Sequence, residues 1–262
     1  DLVAEGEMKN RVKGLVQRLM GHIVDHGFHL IDLDGKPTRW AVWAPDSINF
    51  KPNWWYERGI NSLQILSFLK AAYHVTGDQK FESAYQTLIQ KHHYIENMIQ
   101  QKMYGPFDIN HSDDELAFLP YYILFRYASE PELKPFYAKS MQRSWDVEQA
   151  DRIPIWNIIA SSALQKDCDL KVALEELQQI PMDMINWTML NSQRWDLPRD
   201  QMDDRFGKAQ SIKPIPTPER GVSKWNNNNY KYDQGVGGYA EEDGSYFLLP
   251  YWMGRYHGYF TK

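Results

Sequence analysis

The sequence predicts a mainly α-helical protein built from antiparallel helical pairs, and three observations predict it. Apolar residues recur at helical spacing through most of residues 5–180. The unit helix, tight turn, helix repeats at roughly 50 residues, as in arrays of stacked helical pairs. The connections alternate between short and long. A chain of 262 residues suits one sizeable core, so a single domain over 1–262 is the expected organisation.

The first helix is expected over 5–26, where Val12, Leu15, Val16, Leu19, Met20 and Ile23 fall on one stripe and Gly27 follows as a C-cap. Phe28–Asp32 and Arg39–Trp43 then flank Leu33-Asp34-Gly35-Lys36-Pro37, the pattern of a small β-hairpin. Gly59–Thr76 carries the second helix through Ile60, Leu63, Leu66 and Leu69, and stops at Gly77. Asp78 is placed to cap a third helix that runs to about Gln101. A fourth opens at Ser112-Asp113-Asp114-Glu115 and continues to Tyr127, with Pro120 predicting a kink or a late start. Helices over Glu132–Gln149, Pro154–Leu164 and Asp169–Gln179 complete the series. After residue 181 the periodicity fades into an irregular C-terminal segment over 181–262, folded over the loop-rich end. Tyr246–Met253 is too apolar to stay in water.

The links at 76–78, 129–131 and 165–169 are short, whereas those at 27–58, 102–111 and 149–154 are longer. In an array of antiparallel pairs, all the long links fall at one end. They also hold the chemistry: Trp43 and Trp54–Arg58 in the first; Tyr104, Asp108 and His111 in the second; Asp151, Arg152, Trp156 and Asn157 around the third. One end is therefore expected to be an aromatic, charged rim. The architecture expected from this is an α/α toroid, complete or partial.

Composition narrows the partners. A net charge of −5 gives no general basic face, which disfavours nucleic acid and anionic membrane surfaces. No apolar run approaches the ~20 residues that span a bilayer, and the opening Asp1–Glu5 is not that of a signal peptide, so the chain is read as soluble with its compartment open. A single Cys168 allows no internal disulfide and no cysteine-based zinc site. With 10 Trp, 16 Tyr and 11 Phe, there are more rings than a helical core needs, and some are expected to line a surface.

The alternating helices, the Thr76-Gly77-Asp78 turn and the aromatic long loops resemble the α/α-toroid superfamily of six-hairpin glycosidases and related polysaccharide lyases. Lys224-Trp225-Asn226, Gly235-Val236-Gly237-Gly238, Glu241 through Asp243-Gly244-Ser245, and Tyr256-His257-Gly258 resemble the C-terminal signature of a bacterial subgroup of uncharacterised activity. The resemblance implies carbohydrate chemistry, with an oligo- or polysaccharide as partner. It carries over no catalytic residue.

Candidate residues follow from the chemistry instead. Glycoside hydrolysis needs two carboxyl groups about 5–10 Å apart. Asp113 or Asp114 is placed to supply one and Glu57 the other. Carboxylates at a helix start also serve as caps, and Glu57 beside Arg58 also suits an ion pair. Trp54, Trp55 and Trp225 suit the apolar faces of sugars, or equally a core. His111, Arg58, Asn226, Glu241 and Arg255 are placed to bind polar or anionic sugar groups, while Tyr256 and His257 would serve an elimination on a uronate. The glycines at 235, 237 and 238 imply a tight turn or a close backbone approach to a ligand. No cofactor and no metal are expected: Asp32–Gly35 lacks the later glutamate of a calcium loop, and His22 with His26 lacks a carboxylate at zinc-motif spacing. The expected function is cleavage of glycosidic bonds by a glycoside hydrolase, with a uronate lyase or a non-catalytic glycan-binding or scaffolding domain as alternatives.

Overall fold

The computed structural model describes residues 4–101, 111–197 and 201–260, and it is mainly helical. The chain folds into two compact units, Asp1–Met103 with Leu119–Ser140, and Tyr104–Phe118 with Met141–Lys262.

In the first unit, α1 (Gly6–Asp25) leads into a hairpin of β1 (His29–Ile31) and β2 (Pro37–Val42). The turn closes with Asp32 N–H donating to the Lys36 carbonyl at 2.8 Å, and Gly35 takes φ +78°, which a hairpin turn requires. A short α2 (Pro45–Ile48) precedes α3 (Arg58–Thr76), the axis of the unit, which packs against α1, α4 (Gln79–His92) and α5 (Tyr94–Ile99). Gly77 ends α3 in the left-handed region at φ +73°, and the Asp78 side chain caps α4 by accepting the Lys80 N–H at 2.9 Å. The single helix expected over Asp78–Gln101 is broken, because His93 adopts φ 60°. The break turns α5 so that the buried Tyr94 hydroxyl donates to the Trp43 carbonyl at 2.5 Å. Trp43 is thereby a core residue rather than part of a rim, and its indole N–H reaches the buried Gln64 side chain at 2.9 Å. Lys70 is buried on α3, paired with Glu82 at 2.9 Å and with Glu130, and it lies over the Tyr85 ring.

Two helices run from one unit into the other: α6 (His111–Tyr127) and α7 (Lys134–Glu148). Pro120 is internal to α6, so the helix neither starts late nor stops there.

The second unit is centred on α8 (Pro154–Leu164), nine of whose residues are buried, with α9 (Leu170–Gln179) and α10 (Ser245–Tyr256) packed on it. Trp156 and Asn157 therefore belong to the core, and the Asn157 amide donates to the carbonyls of Cys168 and Asp169 at 3.0 and 3.1 Å. Between α9 and α10 the segment is irregular as expected, stitched by antiparallel pairs of β3 (Met189–Leu190) with β6 (Asp233–Gln234) and β4 (Gln201–Asp203) with β5 (Ala209–Ser211). It reaches the 149–154 connection: Tyr230 and Asn229 both donate to Asp151. The close backbone approach implied by the glycines is internal. A Cβ on Gly235 would sit 1.8 Å from the Trp187 carbonyl oxygen, and one on Gly238 would sit 2.8 Å from the Trp187 ring.

Candidate functional site

The most concentrated chemistry among the described residues lies in the second unit, where α6 begins. Helix geometry puts positions three apart on one face, so His111 and Asp114 turn the same way, with the His111 Nδ1 3.9 Å from Asp114 Oδ2. A single turn of 3₁₀ helix, Gln149–Asp151, follows α7 and delivers Asp151 to the same point, its Oδ2 3.5 Å from His111 Nδ1. Asp114 and Asp151 are wholly enclosed and His111 keeps 12% side-chain exposure. One ligand atom from each of the three lies within 4.8 Å of the others. Glu148, one turn before Asp151, is wholly buried as well.

Asp151 is held from behind. Its Oδ1 accepts the Tyr230 hydroxyl at 2.5 Å and its carbonyl accepts the Asn229 amide at 3.0 Å. Burial and the neighbouring Asp151 charge push the Tyr230 phenol well above its ordinary range, which keeps it a donor. Nearby, Arg220 and Arg152 are directed to the buried Glu176, at 3.9 and 2.6 Å. The wall of the unit is aromatic: Phe118 stacks on Trp156 at 4.6 Å, Trp156 lies 6.3 Å from Trp225, and Trp225 lies 5.2 Å from Tyr246, whose hydroxyl burial pushes up to about 12.

The same unit holds the remaining candidates at different depths. Asp113 is half-buried while its neighbour Asp114 is enclosed, so burial separates two residues that the sequence left equivalent. Trp225 is half-buried, and Asn226 and Glu241 are exposed, Glu241 bridging the backbone of Ile185. At the end of α10, Tyr256 and His257 contact edge to face at 5.1 Å, and Arg255 donates to the Tyr251 hydroxyl at 3.4 Å. Tyr104 and Asp108 lie outside the described residues.

Glu57, Trp54, Trp55 and Arg58 belong to the first unit. Glu57 is half-buried where α3 starts, and its carbonyl accepts the Asn61 N–H at 2.9 Å. The Arg58 guanidinium lies 3.5 Å over the Trp55 ring and donates to Gln100 at 3.0 Å. Trp54 is half-buried and lines a small recess behind the β-hairpin with His29 and Val42. Beside it is an open hollow of about 360 Å³ lined by Asn49, Phe50, Lys51, Trp55 and Tyr56. Phe50, Trp55 and Tyr56 remain 77%, 49% and 66% exposed there. Phe50 was not distinguishable from a core ring in the sequence.

His22 Nε2 accepts the Ile31 N–H of β1 at 3.2 Å, and His26 Nδ1 lies 2.7 Å from the His22 carbonyl oxygen. No helix among the described residues is long and apolar enough to cross a membrane. Comparison with family models, with curated proteins and with solved structures finds no match to the chain.

Proposed function

We propose that this chain acts on an oligo- or polysaccharide and cleaves its glycosidic bonds, and that its helical hairpins form all or part of an α/α toroid. The observation that carries the reading is the open hollow of the first unit, where three rings stand in solvent around a volume suited to one or two sugar rings. Leaving that much aromatic surface wet is unfavourable unless something covers it, and the C–H faces of sugars fit aromatic faces. Asn49 in this lining is held in place by the fold, its amide donating to the His92 carbonyl at 2.9 Å and accepting from Asn97 at 2.8 Å, and the exposed Lys51 adds a cationic edge beside the rings.

Cleavage needs a carboxyl group that substrate can reach. Within the second unit, Asp113 is more open than the enclosed Asp114 and stands at a helix start whose dipole stabilises its anion. Glu57, also half-buried at a helix start, is the carboxylate of the first unit open to the same role. The hydrolase reading rests on these carboxylates; the Tyr256–His257 pair supports a uronate lyase less directly, since Arg255 is already engaged by Tyr251.

The test is a panel of plant, algal and host polysaccharides, followed by reducing ends and by absorbance near 235 nm (the unsaturated uronate chromophore), with retention on immobilised glycans as a second readout. New reducing ends without that absorbance are expected. Trp55→Ala should weaken glycan retention by roughly 10-fold, the worth of one stacked ring. Glu57→Gln should lower turnover by roughly 100-fold or more with retention intact. Retention without product would turn the reading to a glycan-binding module, and absence of both would overturn it.

A further inference from the structure

We propose that His111, Asp114 and Asp151 form a binding site for one divalent transition-metal cation, of the zinc or manganese class. The inference stands apart from the glycan reading and uses only the second unit.

A donor set of one imidazole and two carboxylates matches the ligand chemistry of such ions, and the imidazole disfavours calcium and magnesium. The spacing agrees. Ligand atoms about 2.1 Å from a tetrahedral ion stand about 3.4 Å from one another. Nδ1 of His111 lies 3.5 Å from Asp151 Oδ2 and 3.9 Å from Asp114 Oδ2. Both distances are too long for a hydrogen bond and close to the edge of a coordination polyhedron. All three ligand atoms lie within 4.8 Å, so the remaining edge closes with a small side-chain rotation.

A second observation points to an ion rather than to a self-contained acidic cluster. Asp151 is wholly buried, and its Oδ2, facing His111, accepts no hydrogen bond. His111 Nδ1 is likewise enclosed without a hydrogen-bond partner. An enclosed carboxylate oxygen left in that state is strongly destabilised unless a cation meets it. The arginines of this neighbourhood, Arg152 and Arg220, are directed to Glu176. Meanwhile the other oxygen of Asp151 is pinned by Tyr230, the outer-shell hydrogen bond that fixes the orientation of a ligating carboxylate. No sequence motif signals the site, because His111 and Asp114 come from one helix turn and Asp151 from a separate turn after α7.

The full chain would be analysed for metal as purified, stripped with chelator, and titrated with Zn²⁺, Mn²⁺, Ca²⁺ and Mg²⁺ separately by calorimetry and thermal melting. Expected are one equivalent of Zn²⁺ or Mn²⁺ per chain, a raised melting temperature, and visible d–d absorption when Co²⁺ is supplied. His111→Gln and Asp151→Asn should each weaken binding at least 10-fold. His111→Gln, at the less buried position, keeps the test decisive should Asp151→Asn fail to fold. No binding by the stripped protein, tighter binding of Ca²⁺ and Mg²⁺, or unchanged affinity in a folded His111→Gln would each overturn the proposal. None of these readouts uses a sugar, so the outcome is independent of glycan cleavage.

Discussion

Lys70 shows how much one side chain governs. Its ammonium is 3% exposed and its partners Glu82 and Glu130 are 21% and 14% exposed, so the three charges depend on one another. Removing one partner of a buried pair leaves the other charge stranded, at about 3–5 kcal/mol. Lys70→Ala is expected to lose that much in a urea titration. The pH dependence follows from Glu82: burial pushes its carboxyl up, but hydrogen bonds from Gln86 and Lys70 and the Lys70 charge together bring it below its ordinary value of 4.5. The folded state thus holds this proton less tightly than the unfolded chain. The stabilisation is complete above about pH 4.5 and is lost as the pH falls through the lower folded value. Stability measured from pH 6 to 3 should fall on the acid side, and less steeply in Lys70→Ala; an equal slope in the two proteins would contradict this account.

At the scale of elements, two glycines in helices give opposite expectations. Alanine is intrinsically better than glycine inside a helix by about 1 kcal/mol. Gly14 of α1 has nothing within 4 Å of a Cβ, so Gly14→Ala should stabilise by about that amount. Gly59 of α3 has the backbone nitrogen of Gln101 at 2.8 Å and the Asn97 carbonyl oxygen at 3.1 Å, atoms that cannot rotate aside. Gly59→Ala should therefore destabilise by about 1–3 kcal/mol despite the better propensity. Thermal melts of both variants check the pair of signs. Helix ends of this kind were legible in the sequence: Gly77, Asp78 and Pro154 mark them by local backbone chemistry. The break at His93 was not: histidine enters the left-handed region more often than most side chains but far less often than glycine, and His92-His93 carries no glycine or proline to mark a stop, while the φ of 60° lets the Tyr94 hydroxyl reach the Trp43 carbonyl. The candidate acidic site divides in the same way. His111 and Asp114 are legible as one helix turn, but Asp151 joins them through tertiary folding, and nothing local told the enclosed Asp114 from the half-buried Asp113.

For the whole molecule, the decisive feature is that α6 and α7 each contribute turns to both compact units. A unit that unfolded by itself would have to melt part of two helices that the other still needs, and partial helices of a few turns are marginal. A single calorimetric transition is expected; two resolved transitions would contradict it. The turn between α8 and α9 offers a second readout of the same event. Cys168 there is 2% exposed, its thiol pushed up by burial, its N–H donated to Ser161 and its carbonyl held by Asn157. A thiolate that scarcely forms and is not reached by solvent does not react with disulfide reagents while the fold is closed. Since it is the only cysteine in the chain, every labelling event reports an opening, and labelling rate against denaturant becomes a clock for how often this protein exposes its interior.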